Sequence, residues 1–195
     1  MPAMDRIGSV AVFCASSHPV DGAISDMARK LGHELAARGI SLVYGGGARG
    51  IMGTLAQACH EDGGEVVGVL PEIFDIPQVK LRKVHTKLVV VPTMHERKQT
   101  MYSMADGFII LPGGIGTMDE FFEVFTWRQI GLHDKNIALC NVAGFFDPLL
   151  SLLDSMVAQG LMTQAVRDSL IVSDDIDVIL ARLAGDRAVL PEKID

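Results

Sequence analysis

The sequence predicts an α/β fold, an open parallel sheet with helices on both faces. Short apolar runs alternate with longer stretches of helical spacing, an order that demands right-handed crossovers between parallel strands. The runs are continuously apolar rather than alternating, as in strands covered on both faces. The 195 residues hold no internal repeat, no low-complexity segment and no linker long enough for a boundary. A single domain over residues 1–195 is therefore expected, with its core at about 7–185 and a solvated tail at Pro191–Asp195.

Val10–Cys14 is a continuous apolar run with β-branched and aromatic members, a buried strand followed by Ala-Ser-Ser. Ile24, Met27, Leu31 and Leu35 give helical spacing from about Asp21 to Arg38, and Gly39 is a C-terminal cap. Ile40–Tyr44 is a second strand, ending in three glycines. Ile51 to about His60 is helical and closes at Gly63-Gly64. Glu65–Leu70 is a third strand, cut by Pro71, and Phe74–Thr86 is an irregular loop containing Pro77. Leu88–Val91 is a fourth strand. Thr93–Ala105 reads as a helix, because Thr93 and Glu96 have capping-box spacing. Phe108–Leu111 is a fifth strand, Pro112–Gly116 a glycine turn, and Thr117–Gln129 a helix. Ile137–Cys140 is a sixth strand and Phe146–Gln159 a helix with Leu149, Leu150, Leu153 and Val157 on one face. The remainder is expected to be helical, with a short strand near Leu170–Val172.

Composition narrows the function classes. Hydrophobic residues are 49% and charged residues 21%, enough apolar material to exclude a disordered chain. Seventeen basic against twenty-four acidic residues give a formal charge of −7, against general affinity for nucleic acid or anionic membrane. An anionic small substrate then needs a local positive site. Three scattered cysteines (Cys14, Cys59, Cys140) have neither zinc nor disulfide spacing, which points to a reducing cytoplasm. The opening Met-Pro-Ala-Met-Asp-Arg lacks the apolar core of a secretion signal, and no run approaches the roughly 18 apolar residues of a membrane helix.

In open parallel sheets ligands bind beyond the carboxyl ends of strands. Three segments there are candidates. Gly45-Gly46-Gly47-Ala48-Arg49-Gly50 matches G-x-G-x-x-G between a strand and a helix. It follows the second strand, not the first, and Glu65 opens its strand instead of closing it. The loop is thus a mononucleotide-lining turn, a dinucleotide site or a purely structural turn. Pro112-Gly113-Gly114-Ile115-Gly116-Thr117-Met118-Asp119-Glu120 leads from the fifth strand into a helix. Free N–H groups of the first turn and the Thr117 hydroxyl suit a phosphate. Glu120 lies near that site and Glu123 one turn on. A carboxylate beside a phosphate pocket is electrostatically costly, which marks a catalytic or ribose-binding group; otherwise Asp119, Glu120 and Glu123 merely complement the helix dipole. The third segment, Met94-His95-Glu96-Arg97-Lys98, supplies positive charge, or else is a solvated face. Met94, Met101 and Met104 form a stripe suited to core or subunit interface.

Together these segments resemble the LONELY GUY (LOG) family, cytokinin riboside 5′-monophosphate phosphoribohydrolases long labelled lysine decarboxylases. The P-G-G-x-G-T-x-x-E motif is complete at Pro112–Glu120, and M-H-x-R-K stands at Met94–Lys98. The similarity runs on through Phe125–His133 and Asn141–Phe146, and includes the Ser16-Ser17 and Tyr44–Gly47 turns, covering about residues 8–160. The resemblance implies a Rossmann-like fold in a homodimer and hydrolysis of the N-glycosidic bond of a nucleoside 5′-monophosphate. It implies Arg97 and Glu120 as the catalytic pair, with Glu72, Lys98, Gly113, Gly114, Gly116, Thr117 and Thr126 at nucleotide-contacting positions. Asp119, Glu123, Met94, Ser17, Gly45, Gly46 and Gly47 complete the candidate substrate site. Ile115 stands where the family commonly has Tyr, Asp119 where it has Glu, and only Pro71-Glu72-Ile73 remains of a longer run.

The chemistry is that of glycoside cleavage. A fixed carboxylate at Glu120 faces an oxocarbenium-like sugar and aligns or deprotonates water. Arg97 rarely gives up a proton, so it orients substrate, offsets charge or grips phosphate. No cofactor is expected: no lysine has the setting of a pyridoxal phosphate Schiff base. No metal is expected either, since helix ends and basic side chains handle the phosphate and the six histidines lack ligand spacing. The competing reading is a non-catalytic Rossmann-like nucleotide or cofactor carrier or sensor. A second rival, an NAD-linked oxidoreductase, predicts NAD(H) binding and no need for Glu120.

Overall fold

A computed structural model describes residues 7–19, 22–76 and 83–190. Asp21, Pro77, the first six residues and the tail at Pro191–Asp195 lie outside them. The elements run β1 (Ser9–Phe13), α1 (Gly22–Arg38), β2 (Ser41–Tyr44), α2 (Gly50–Glu61), β3 (Val66–Pro71), β4 (Lys87–Val91), α3 (Met94–Met104) and β5 (Gly107–Ile110). They continue with α4 (Ile115–Gln129), β6 (Ile137–Cys140), α5 (Asp147–Ala158), α6 (Gln164–Asp168), β7 (Leu170–Ser173) and α7 (Ile176–Leu183).

The seven strands form one parallel, Rossmann-like sheet in the order β4-β3-β2-β1-β5-β6-β7. The side-chain period of two sends each strand's residues alternately to two cores. Val10, Val12, Leu42, Tyr44, Ile109 and Ala138 face α1, α2 and α7. Ala11, Phe13, Val43, Phe108, Ile110 and Leu139 face α3, α4, α5 and α6. Beyond the first residues Ser9, Ser41 and Gly107, every position of β1, β2, β5 and β6 is buried and carries an apolar side chain, which is why these strands read as unbroken runs. β4, at one edge, leaves Lys87 and Val90 exposed.

Strand order reverses between β1 and β5, which pair directly with Phe13 opposite Ile110. The chain leaves β1 towards one side of the sheet and β5 towards the other, which opens a crevice between their carboxyl ends. Local signals fix the helices around it. The Thr93 hydroxyl accepts from the Glu96 N–H to start α3. α4 starts at Ile115, two residues before the expected Thr117, with Gly114 as N-cap and no side-chain cap. Its first-turn N–H groups are therefore left open at the crevice.

Candidate active site

A cavity of about 710 Å³ occupies this crevice. Its walls come from four strand ends. Cys14–Ser17 follow β1, and Gly45, Gly47, Ala48, Arg49 and Met52 follow β2. Leu70, Phe74 and Ile76 come from the end of β3 and the turn beyond it. Gly114–Thr117, Asp119 and Glu120 follow β5, and Met94 and Arg97 reach in from α3.

Arg97 and Glu120 sit at its base. The Arg97 Nη1 donates to Glu120 Oε1 at 2.6 Å, and Arg97 Nε donates to the Val69 carbonyl at 3.2 Å. Each residue is only 5% exposed. Arg97 is not part of a solvated charged face. Burial pushes the Glu120 carboxyl above the ordinary carboxylate range, and the Arg97 guanidinium only partly offsets this. Burial likewise pushes the Cys14 thiol far up, with the Glu120 charge adding to the effect, so Cys14 stays protonated.

Thr117 lies at the open start of α4. It is 4% exposed, lines the cavity, and its hydroxyl has no hydrogen-bond partner among the described residues. Gly113 makes room for it: a Cβ there would lie 2.1 Å from Thr117 Oγ1. A hydroxyl facing the cavity beside open helix N–H groups has the chemistry to accept an oxyanion. The other glycine loop closes the opposite wall. Gly50 has φ +62°, and its Cβ would strike the Ser17 carbonyl at 2.4 Å, so α2 abuts the Ser16-Ser17 turn. Glu65, whose place in a dinucleotide reading was in question, is bound to Ser41 at the amino ends of β2 and β3, away from the cavity.

The candidate residues divide. Arg97, Glu120, Gly114, Gly116, Thr117, Asp119, Gly45, Gly47, Met94 and Ser17 all line the cavity. Gly46 is buried behind it with φ +73°. Lys98 lies outside the lining and bonds Asp119 Oδ2 at 3.1 Å and Glu123 Oε1 at 3.0 Å, which joins α3 to α4. Burial disfavours its ammonium, but those carboxylates outweigh burial and hold its pKa above the ordinary lysine value. Glu72 is exposed on a short 3-10 turn, and Thr126 is exposed farther along α4. The methionine stripe splits: Met94 is at the cavity, Met101 in the core, and Met104 half-buried against it. Sequence reasoning missed Phe74, Ile76 and Met52 as apolar wall and Cys14 as floor; apolar residues stranded in the loop after β3 were the available signal.

The fold and this crevice define a Rossmann-like α/β protein with a cavity at its topological switch point. Residues 52–183 match the family described as "Possible lysine decarboxylase". A cytokinin riboside 5′-monophosphate phosphoribohydrolase of Rhodococcoides fascians is 43% identical over 176 residues, covering 90% of this chain and 88% of that one. A probable enzyme of the same name from Oryza sativa subsp. japonica is 40% identical over 183 residues, covering 94% of this chain and 75% of that one. The molybdenum cofactor carrier protein of Chlamydomonas reinhardtii superposes with a TM-score of 0.69 at 19% identity, covering 91% and 96%, a likeness of fold alone. The chain belongs to the LONELY GUY family, the phosphoribohydrolases that share the lysine decarboxylase label.

Proposed function

We propose that this protein is a hydrolase that cleaves the N-glycosidic bond of N6-modified adenosine 5′-monophosphates, giving the free base, a cytokinin, and ribose 5-phosphate. The observation that carries the reading is the buried Arg97–Glu120 pair facing the same cavity as the open start of α4. The names of relatives at about 40% identity support the same reaction.

The phosphate rests on the first turn of α4 and the Thr117 hydroxyl, so binding energy from a remote dianion holds the ribose in reach of Glu120. As the C1′–N9 bond breaks, its electron pair leaves with the base and positive charge develops on the sugar. The Glu120 carboxylate stabilises that charge and takes a proton from the attacking water, whose oxygen bonds to C1′, while the departing base gains a proton from solvent. Arg97 fixes the carboxylate and offsets charge on substrate. Met52, Leu70, Phe74, Ile76 and Met94 offer an apolar wall for a modified base. Asp119 and Ser17 border the cavity, while Lys98, Glu123, Glu72 and Thr126 act outside it or on a closed state.

The reading extends to one domain, to free nucleotides rather than nucleic acid, and to a homodimer in the cytoplasm. The charge of −7, three free buried thiols and exposed apolar side chains at Met94, Ile130 and Leu132 support it. Among the described residues no helix is long and apolar enough to cross a membrane. The test is a panel of isopentenyl-AMP, AMP, CMP and the matching ribosides, with release of base followed by chromatography. Base release from monophosphates but not ribosides is expected. Tight nucleotide binding without release would instead establish a carrier.

A further inference from the structure

We propose that Gly45 is a positioning residue: its missing side chain is the space that holds the Arg97 guanidinium against Glu120. A Cβ built on Gly45 would lie 1.9 Å from Arg97 Nη2 and 3.0 Å from Arg97 Cζ. Its next neighbour is Met52 Cε at 3.3 Å, the end of a flexible side chain. The backbone at Gly45 is not the reason for glycine, because only Gly46 and Gly50 in this loop have positive φ. The guanidinium has no ready alternative place. Nε is tied to the Val69 carbonyl and Nη1 to Glu120, and the residue is 5% exposed. Gly45 closes the remaining side, under Nη2. A methyl group there displaces a planar, charged group from a packed site, and the bond to Glu120 goes with it. The first glycine of the Gly45–Gly50 loop therefore serves a side chain, not a phosphate.

The kinetic part of this inference rests on the hydrolase reading, whereas the steric part does not. The experiment is a cycle of wild type, Gly45→Ala, Arg97→Ala and the double variant. With isopentenyl-AMP, Gly45→Ala is expected to lower kcat by about 100-fold, close to the loss in Arg97→Ala. The changes in kcat and KM should follow the pattern of Arg97→Ala, and the double variant should be no slower than Arg97→Ala. Thermal unfolding of the same four proteins needs no substrate. Gly45→Ala is expected to lower the midpoint by about 5 °C when Arg97 is present and by under about 1 °C when it is absent. Arg97→Met replaces Arg97→Ala should the latter fail to fold, since its side chain ends short of the disputed space. Equal loss of stability in both backgrounds would overturn the proposal, because the obstacle would then be main chain. Near wild-type kcat in Gly45→Ala would overturn it as well. Absence of any hydrolysis by the wild type would refute the hydrolase reading and leave the stability cycle to decide the steric claim.

Discussion

An inner and an outer ionic contact tie α3 to α4, through the adjacent residues Arg97 and Lys98 of α3. Arg97 meets Glu120 inside, and Lys98 meets Asp119 and Glu123 outside. In the first, both side chains are at most 7% exposed, whereas Asp119 in the second is 60% exposed. The difference teaches what burial does to one kind of contact. Outside, Asp119 is open to water and Lys98, though only 12% exposed, has two carboxylates to meet, so either bridge alone is worth little. Inside, each charge has the other as its ion-pair partner among the described residues, so each fixes the other in place and removing one strands the other. The inner pair can hold a carboxylate in one orientation towards the cavity. The outer pair can only brace the two helices that carry it.

The largest effect expected is on turnover. Glu120→Gln keeps the shape and the bond from Arg97 but loses the charge. It should lower kcat by about 100- to 1,000-fold while KM changes little. Wild-type release of adenine by this variant would remove Glu120 from the chemistry and make the two pairs functionally alike. Arg97→Ala comes next. It leaves a buried carboxylate without its cation, at a cost of about 3 kcal/mol in chemical unfolding, reduced to the extent that Glu120 takes up a proton. It should also lower kcat and raise KM. Unchanged kinetics would make Arg97 a structural partner only.

A pH series sharpens the contrast. The Glu120 carboxyl has a folded pKa above its ordinary 4.5 because it is desolvated. The folded chain therefore binds that proton more readily than the unfolded chain does. Stability contributed by the protonated form is present below the unfolded pKa and is lost as pH rises through the folded one. The midpoint difference, wild type minus Glu120→Gln, should fall as pH rises from about 4.5 upwards. The kcat/KM should rise with pH through an apparent pKa above that of a free carboxyl. A flat stability difference would mean that the inner pair titrates like a solvated one.

Much of the fold was legible because the sheet is buried on both faces. The runs from Val10 to Cys14, Leu42 to Tyr44 and Ile137 to Cys140 are buried at every position, so they had to be apolar throughout. Boundaries were harder at α4, where Gly114 and Gly116 argue against helix although a first turn needs no side chain to form. The glycine motif and Glu120 were legible through the strand–loop–helix order. The burial of Arg97 was not. In sequence it sits between Glu96 and Lys98 and reads as a polar face. Only its packing against Gly45 and Glu120, which are 52 residues before it and 23 after it, takes it out of water. Lys98 shows the same limit in reverse. The family resemblance put it at a nucleotide-contacting position, but one step round the helix turned it towards Asp119 and Glu123.

That step makes Lys98→Met the most discriminating small effect. The methionine keeps much of the aliphatic stem that packs between α3 and α4 and removes the ammonium. Asp119 stays solvated and Glu123, 23% exposed, keeps access to water, so neither carboxylate is stranded. The expected cost is about 0.5 kcal/mol in denaturant unfolding, and it should shrink further in high salt. The kcat should change by less than about 2-fold, since small surface terms of this kind do not reorient a buried pair. Salt-dependent stability with unchanged kcat would place Lys98 wholly with the brace. A large rise in KM for monophosphates, absent for ribosides, would mean that Lys98 leaves Asp119 and Glu123 to meet the phosphate when substrate enters. The outer pair would then be a resting position of a binding residue, and the contrast with the inner pair would hold only for the empty site.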